Sequence, residues 1–178
     1  MTGVQTCALP IWGPHDPHLG EGPLLARNVL RGRIPAVTSG GFQIADVRDT
    51  ARAIAATIEP GRGPRSFLLA GHYLSLRDIL RTLGRLTGRR FPAMPLPKGL
   101  MLGIGSLTDA LQQRTKTRLP WSREAIWILN CAARCDGSRV REDLGLEPRP
   151  IEETFADTVR WLLEAGHVTP RQAGRLAV

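Results

Sequence analysis

The chain has 178 residues, 42% of them hydrophobic and 22% charged, a balance that supports a packed core and excludes disorder except near the two ends. No apolar run approaches the eighteen or so residues that cross a bilayer, and no charged and apolar leader opens the chain, so a soluble cytoplasmic protein is expected. The formal charge of +8 comes almost wholly from dispersed arginines, with only Lys98 and Lys116 as lysines, which reads as genome composition and not as a nucleic-acid surface.

Met1 to Ile11 (MTGVQTCALPI) matches the translation of a sequencing adapter, residue for residue, and is set aside from fold reasoning. The native part is expected to begin at about Gly13 and to be the carboxy-terminal piece of a longer protein. Gly13 to Gly22 is a loop by its Gly and Pro content, and Pro23 suits the first turn of a helix to about Arg31. Gly32 to Gly41 is irregular or extended. Gly41 to Ala45 reads as a strand with Phe42 and Ile44 on one face.

At Asp46 the period changes to that of a helix running to about Glu59, with Val47, Ala51, Ile54, Ala55 and Ile58 as its apolar stripe. Asp46 and Asp49 are placed as a capping pair. Arg65 to Ala70 is expected as the next strand. Ser75 and Asp78 form a capping box for a helix that ends at Gly88, its inner stripe Leu76, Ile79, Leu80, Leu83 and Leu86. Phe91 to Pro97 is extended because each proline disfavours helix at the residue before it. Helices follow over Lys98 to Gln113, from Ser122, from Asp136 to near Gly145, and from Pro150 with Phe155, Val159 and Leu162 inside. The tail, residues 167–178, has little periodicity and is expected to be mobile.

Candidate chemistry is sparse. Cys131 and Cys135 are four apart and would stack on a helix, as two small apolar side chains before a metal pair. His15 and His18 flank Asp16, but two histidines and one aspartate in a loop lack supporting ligands, so no metal is expected. Arg77, Arg81 and Arg85 line one helix face. They read first as a solvated ridge and second as a phosphate-binding patch.

Three stretches taken together resemble the extended short-chain dehydrogenases/reductases, also called the NAD-dependent epimerase/dehydratase family. Trp12 to Asp16 (WGPHD) is similar to the Tyr-Gly-Pro-x-Asp that follows the catalytic segment there. Phe42 to Ala51 (FQIADVRDTA) is similar to the family's strand-into-helix segment, and Asp136 to Trp161 to its closing pattern. The resemblance implies an α/β fold: the carboxy-terminal part of a Rossmann-type reductase, residues 12–166, mostly the substrate-binding lobe with a few short strands and several helices. It implies NAD or NADP as the intact protein's cofactor, a small-molecule substrate, a homodimer, and no nucleic acid or membrane as partner. It places Gly13 and Pro14 beside the cofactor, and His15, Asp16, Phe42 and Gln43 at the substrate cleft. No catalytic residue is assigned. The family's glycine-rich turn is absent, and its Tyr-x-x-x-Lys pair has no counterpart, since Tyr73 is the only tyrosine and position 77 is Arg77.

Within the family, nucleotide-sugar epimerases commonly carry a phosphate-gripping Arg where this chain has Phe42. The Asp46-Val47-Arg48-Asp49 version is closer to the dihydroflavonol and cinnamoyl-CoA reductase-like branch, which reduces ketones or aldehydes on less charged, larger substrates. Phe42, Met94 and Met101 would suit such a pocket, or plain core. Arg48 is expected as a salt-bridge partner or surface residue. Two other readings stand beside the reductase: a nucleotide-sugar epimerase or dehydratase, and a non-catalytic binding module. If the reductase reading holds, helices meant for a parent sheet would expose Val47, Ile54 and Ile58, and the chain alone would be inactive and poorly soluble.

Overall fold

The computed structural model describes residues 10–58, 67–115, 123–131 and 134–177. Two small sheets organise them. The first has the order β1-β3-β4: β1 (Ile11–Trp12) runs parallel to β3 (Gly41–Asp46), and β3 pairs antiparallel with β4 (His72–Ser75). The second is a parallel ribbon of β2 (Ala36–Val37) and β5 (Met94–Pro95), so both extended stretches expected there are strands in part. Ile11 joins β1 through its backbone, opposite Ala45, while its side chain stays exposed.

The core lies between the sheet and three helices. These are α1 (Glu21–Leu30), α3 (Leu76–Thr87) and α7 (Ile151–Glu164). Phe42 and Ile44 meet Leu30, Ile79, Leu83, Phe155 and Leu162 in one cluster. Each such side chain, fully buried, stabilises the fold by about 1.5–3 kcal/mol. Trp12 is wholly buried and stacks on Phe155 with ring centroids 4.6 Å apart.

α3 follows its sequence closely. The Ser75 Oγ accepts from the Asp78 N–H, the Asp78 carboxylate accepts from the Ser75 N–H, and Gly88 ends the helix at φ 70°, where a side chain would be strained. α2 (Val47–Thr57) starts from the Asp46 cap as expected. Its apolar residues Val47, Ile54 and Ile58 are exposed, while Asp49 and Ala53 face inward. The remaining helices are α4 (Lys98–Thr115), α5 (Arg123–Cys131), α6 (Ser138–Leu144) and α8 (Pro170–Ala173).

Three expectations need correction, and a fourth falls outside the described residues. The strand expected over residues 65–70 is not there: Arg65 and Ser66 lie outside the described residues, residues 67–70 form no strand, and the strand is β4. Its register, Gly41 opposite Ser75 through Ile44 opposite His72, is set by pairing with β3 and not by its own hydrophobicity. Cys135 lies outside α5, which ends at Cys131, so the two do not share a helix. The cap expected at Ser122 lies outside the described residues. The tail, expected to lack structure, folds into α8 and a 3-10 turn (Gly174–Ala177). Thr169 and Gln172 form a capping box there, and Val168 and Ala173 are buried in the core cluster. A four-residue helix is too short to show periodicity.

Candidate functional site

All six residues of β3 are buried, and the strand's alternation sorts them. Phe42 and Ile44 point into the core, and Gln43 points to the opposite face. Phe42 and Gln43, both expected at the substrate cleft, thus lie on opposite faces of β3. On its own face Gln43 sits opposite Tyr73 of β4 and donates from Nε2 to the Cys135 carbonyl at 3.0 Å. Gln43 Oε1 is buried and accepts no hydrogen bond among the described residues. The Arg134 guanidinium covers the Tyr73 ring at 4.6 Å. This polar face is half legible: the strand period marks Gln43, but nothing local in the sequence brings Arg134 and Cys135, some ninety residues later, against β3 and β4.

The C-terminal end of β3 opens into a network of acids and arginines. The Asp46 carboxylate accepts from the Arg48 N–H at 2.8 Å, from Arg48 Nε and Nη2 at 3.0 and 2.8 Å, and from the Thr154 hydroxyl at 2.7 Å. Burial alone would raise the Asp46 pKa, but the hydrogen bonds from Arg48 and Thr154 outweigh it and hold the carboxyl below its ordinary range. Arg48 also donates to Asp157 at 2.6 Å, and these partners raise its own pKa. Asp49 is not the second half of a capping pair. Its carboxylate accepts from the Arg149 N–H and Nε, at 2.9 and 3.0 Å, and from Arg52 at 2.8 Å. The network fastens α2 to the start of α7, and its acids are fully engaged in doing so.

The loop after β1 places Gly13 against Val47 at the start of α2. A Cβ at Gly13 would collide with Val47, so helix packing accounts for this glycine. The Asp16 carboxylate accepts from the His18 N–H at 3.1 Å and the Gly20 N–H at 2.7 Å, closing the turn that leads into α1. His15 and Leu19 take positive φ, 65° and 49°, and His15 is exposed. Among the described residues no three His, Cys, Asp or Glu side chains gather as metal ligands. A cavity of about 310 Å³ lies between α2, α6 and the segment before β4, edged by Asp49, Arg52, His72, Asp136 and Arg141. Asp136 accepts from the Ser138 N–H at 2.9 Å, which holds its carboxyl low. Arg81 and Arg85 face solvent and pair with Asp78 and Glu152.

A parallel β1–β3 pair that leads through α2 into a helical lobe is an arrangement that known proteins share. No protein-family model matches the chain. A protein of Methylococcus capsulatus named sterol demethylase protein B is 33% identical over 82% of this chain and 46% of its own length. Its relatives and structural neighbours are members of the NAD-dependent epimerase/dehydratase family, and the chain matches somewhat under half of their length, as the carboxy-terminal part of an extended short-chain dehydrogenase/reductase does. A dihydroflavonol 4-reductase-like protein of Synechocystis is 26% identical over 78% of this chain and 42% of its own. Among solved structures, a nucleoside-diphosphate-sugar epimerase from Pseudomonas aeruginosa superposes with a TM-score of 0.63 at 20% identity, covering 89% of this chain and 47% of that one. The Bordetella bronchiseptica enzyme WbmH, in complex with NAD+, superposes with a TM-score of 0.57 at 19% identity, covering 88% and 44%. The chain thus spans about half the length of the curated relatives it matches. Its fold is that of the carboxy-terminal part of a Rossmann-type member of the family.

This family's cofactor chemistry finds little to hold it among these residues. A pyrophosphate needs a cradle of backbone N–H groups at a helix N-terminus behind a glycine-rich turn, and the sequence has no such turn. Gly13 is committed to Val47, and the hydroxyl-bearing Tyr73 lies under Arg134, with Arg77 on the outer face of α3. The described residues do not fit a dinucleotide site by themselves. What they offer is a polar face, Gln43 and Tyr73 with the Arg134 guanidinium over the ring, beside a packed core.

Proposed function

We propose that this chain is the substrate-binding lobe of an NAD(P)-dependent oxidoreductase that reduces a ketone or aldehyde on a largely apolar molecule, in the manner of the dihydroflavonol and cinnamoyl-CoA reductase-like branch. One observation carries the reading. Where a nucleotide-sugar enzyme would place a phosphate-gripping arginine, the chain has Phe42, whose ring is core. The neighbouring groups, Gln43 and Tyr73, are neutral donors and acceptors suited to a carbonyl or hydroxyl. The relatives named for sterol and dihydroflavonol chemistry support an apolar, polycyclic substrate class. In this reading the exposed face of α2 rests on a nucleotide-binding half that supplies the glycine-rich turn and the Tyr-x-x-x-Lys pair. The chain alone is inactive. The intact enzyme forms a homodimer in the cytoplasm.

A nucleotide-sugar epimerase or dehydratase is the second reading, favoured by the fold shared with the Pseudomonas enzyme. Arg81 and Arg85 support it little, because both already face acids. A non-catalytic binding module is the third.

The test is to sequence the source DNA upstream of the Gly13 codon and assay the encoded protein. An in-frame extension with both missing motifs, giving a protein that oxidises NADH or NADPH with steroid- or flavonoid-type ketones and ignores UDP-sugars, supports the proposal. A genomic start codon at Met1 followed by residues 2–11 overturns it in favour of the binding module, and turnover of UDP-sugars overturns it in favour of the epimerase.

A further inference from the structure

The end of α1 gathers three arginines. Arg27 and Arg31 stand one turn apart on the helix, a spacing at which like charges repel. Gly32 then takes the left-handed conformation at φ 70°. The Gly32 N–H donates to the Val29 carbonyl and the Arg33 N–H to the Asn28 carbonyl, both at 2.9 Å, which folds Arg33 back against the last turn. Arg31 is fixed through Nη2 on the His167 carbonyl at 2.7 Å. The Arg27 Nε is buried without a partner among the described residues, while its Nη groups reach the surface. Arg31 and Arg33 are exposed.

No acid among the described residues answers this charge. None of the three arginines forms an ion pair there, whereas Arg48, Arg85 and Arg149 each do. Burial, and then the like charges of Arg31 and Arg33, hold the Arg27 pKa below its ordinary value, so the three guanidinium groups feel one another. Helix capping does not account for them. The Arg27, Asn28 and Val29 carbonyls already accept from the Arg31, Arg33 and Gly32 N–H groups, and the Leu30 carbonyl accepts from Arg89 Nη1 at 2.7 Å. The negative end of a helix amounts to about half an elementary charge, which three full cations exceed. We propose that Arg27, Arg31 and Arg33 form a binding site for a phosphoryl group, carried by inorganic phosphate or by a small phosphate monoester. Planar guanidinium forks meet phosphate oxygens in pairs, and a phosphate brings about two negative charges where a carboxylate brings a single one. The site stands independently of the oxidoreductase reading, since it uses neither the polar face of β3 nor a nucleotide-binding half.

The experiment is equilibrium dialysis of the 178-residue chain against radiolabelled inorganic phosphate at low salt, with phenyl phosphate as the competing monoester. Saturable binding is expected, and stronger competition by phenyl phosphate would assign the site to an esterified ligand. Arg33→Gln removes an exposed side chain whose backbone makes the turn, so the fold is kept, and affinity should fall about tenfold. Arg27→Lys keeps the charge but loses the fork, and should weaken binding to a similar degree. Arg81→Gln/Arg85→Gln on α3 removes more charge and should leave binding unchanged, because those arginines already face Asp78 and Glu152. Absence of saturable binding, an equal loss in the α3 variant, equal competition by succinate, or displacement by duplex DNA at far lower phosphate concentration than by phenyl phosphate would each overturn the proposal.

Discussion

α2 and α3 differ in length by one residue, 11 against 12, and each leaves a strand through a side-chain cap, Asp46 for one and Ser75 for the other. Each carries an apolar stripe at helical spacing. α3 buries its stripe: Leu76, Ile79, Leu80 and Leu83 lie in the core cluster. α2 does the reverse. It turns Asp49 and Ala53 inward and leaves Ile54 57% and Ile58 74% exposed. The same sequence pattern therefore reports which face prefers burial and is silent on whether the covering partner lies in the same chain. α3 finds α7 and the 3-10 turn at the carboxy end. α2 is held by charge instead, through Arg149 and Arg48.

That contrast can be broken most severely on the α3–α7 side. Phe155 is wholly buried and stacked on Trp12, so Phe155→Ala is expected to cost about 3–5 kcal/mol in urea denaturation followed by circular dichroism. A cost below about 1 kcal/mol would mean that the two helices differ less than their burial implies.

The charged clasp of α2 comes next. Asp46→Ala removes a helix cap and leaves Arg48 and the Thr154 hydroxyl without their shared partner, for an expected loss of about 2–4 kcal/mol. The pH dependence has a definite sign. The folded pKa of Asp46 is depressed, so its contribution is present above the ordinary carboxylate pKa of about 3.9 and is lost as pH falls through the lower folded value. Stability measured from about pH 6 to pH 2 should fall on the acid side in the parent, and less steeply in Asp46→Asn. Parallel curves would remove Asp46 as the clasp's centre. Smaller still is Ser75→Ala, which deletes half of the α3 capping box and should cost about 1 kcal/mol.

Local chemistry decided how much was readable. Ser75, Asp78 and Gly88 announce α3 because caps and a left-handed terminus depend on residues a few positions apart. β4 was misplaced because Phe67 to Ala70 is the more hydrophobic run, whereas the ladder follows the register imposed by β3. The opposition of Phe42 and Gln43 is contained in the strand period itself. Arg134 over Tyr73 and the Cys135 carbonyl on Gln43 are long-range outcomes of packing, which no single segment encodes.

The smallest effect on stability tests the comparison most directly. If α2's stripe has no partner within the chain, Ile54→Gln/Ile58→Gln removes no native contact of consequence and should shift stability by no more than about 0.5 kcal/mol. The same substitutions in α3, at Ile79 or Leu83, would be ruinous, since both are wholly buried. Solubility should respond differently, because an exposed pair of isoleucines on one helix face invites association whether or not the fold is stable. The α2 variant should stay monomeric in light scattering at concentrations where the parent aggregates. A variant that is destabilised by more than about 1.5 kcal/mol would show that α2 is covered in solution by a self-association that its exposure conceals.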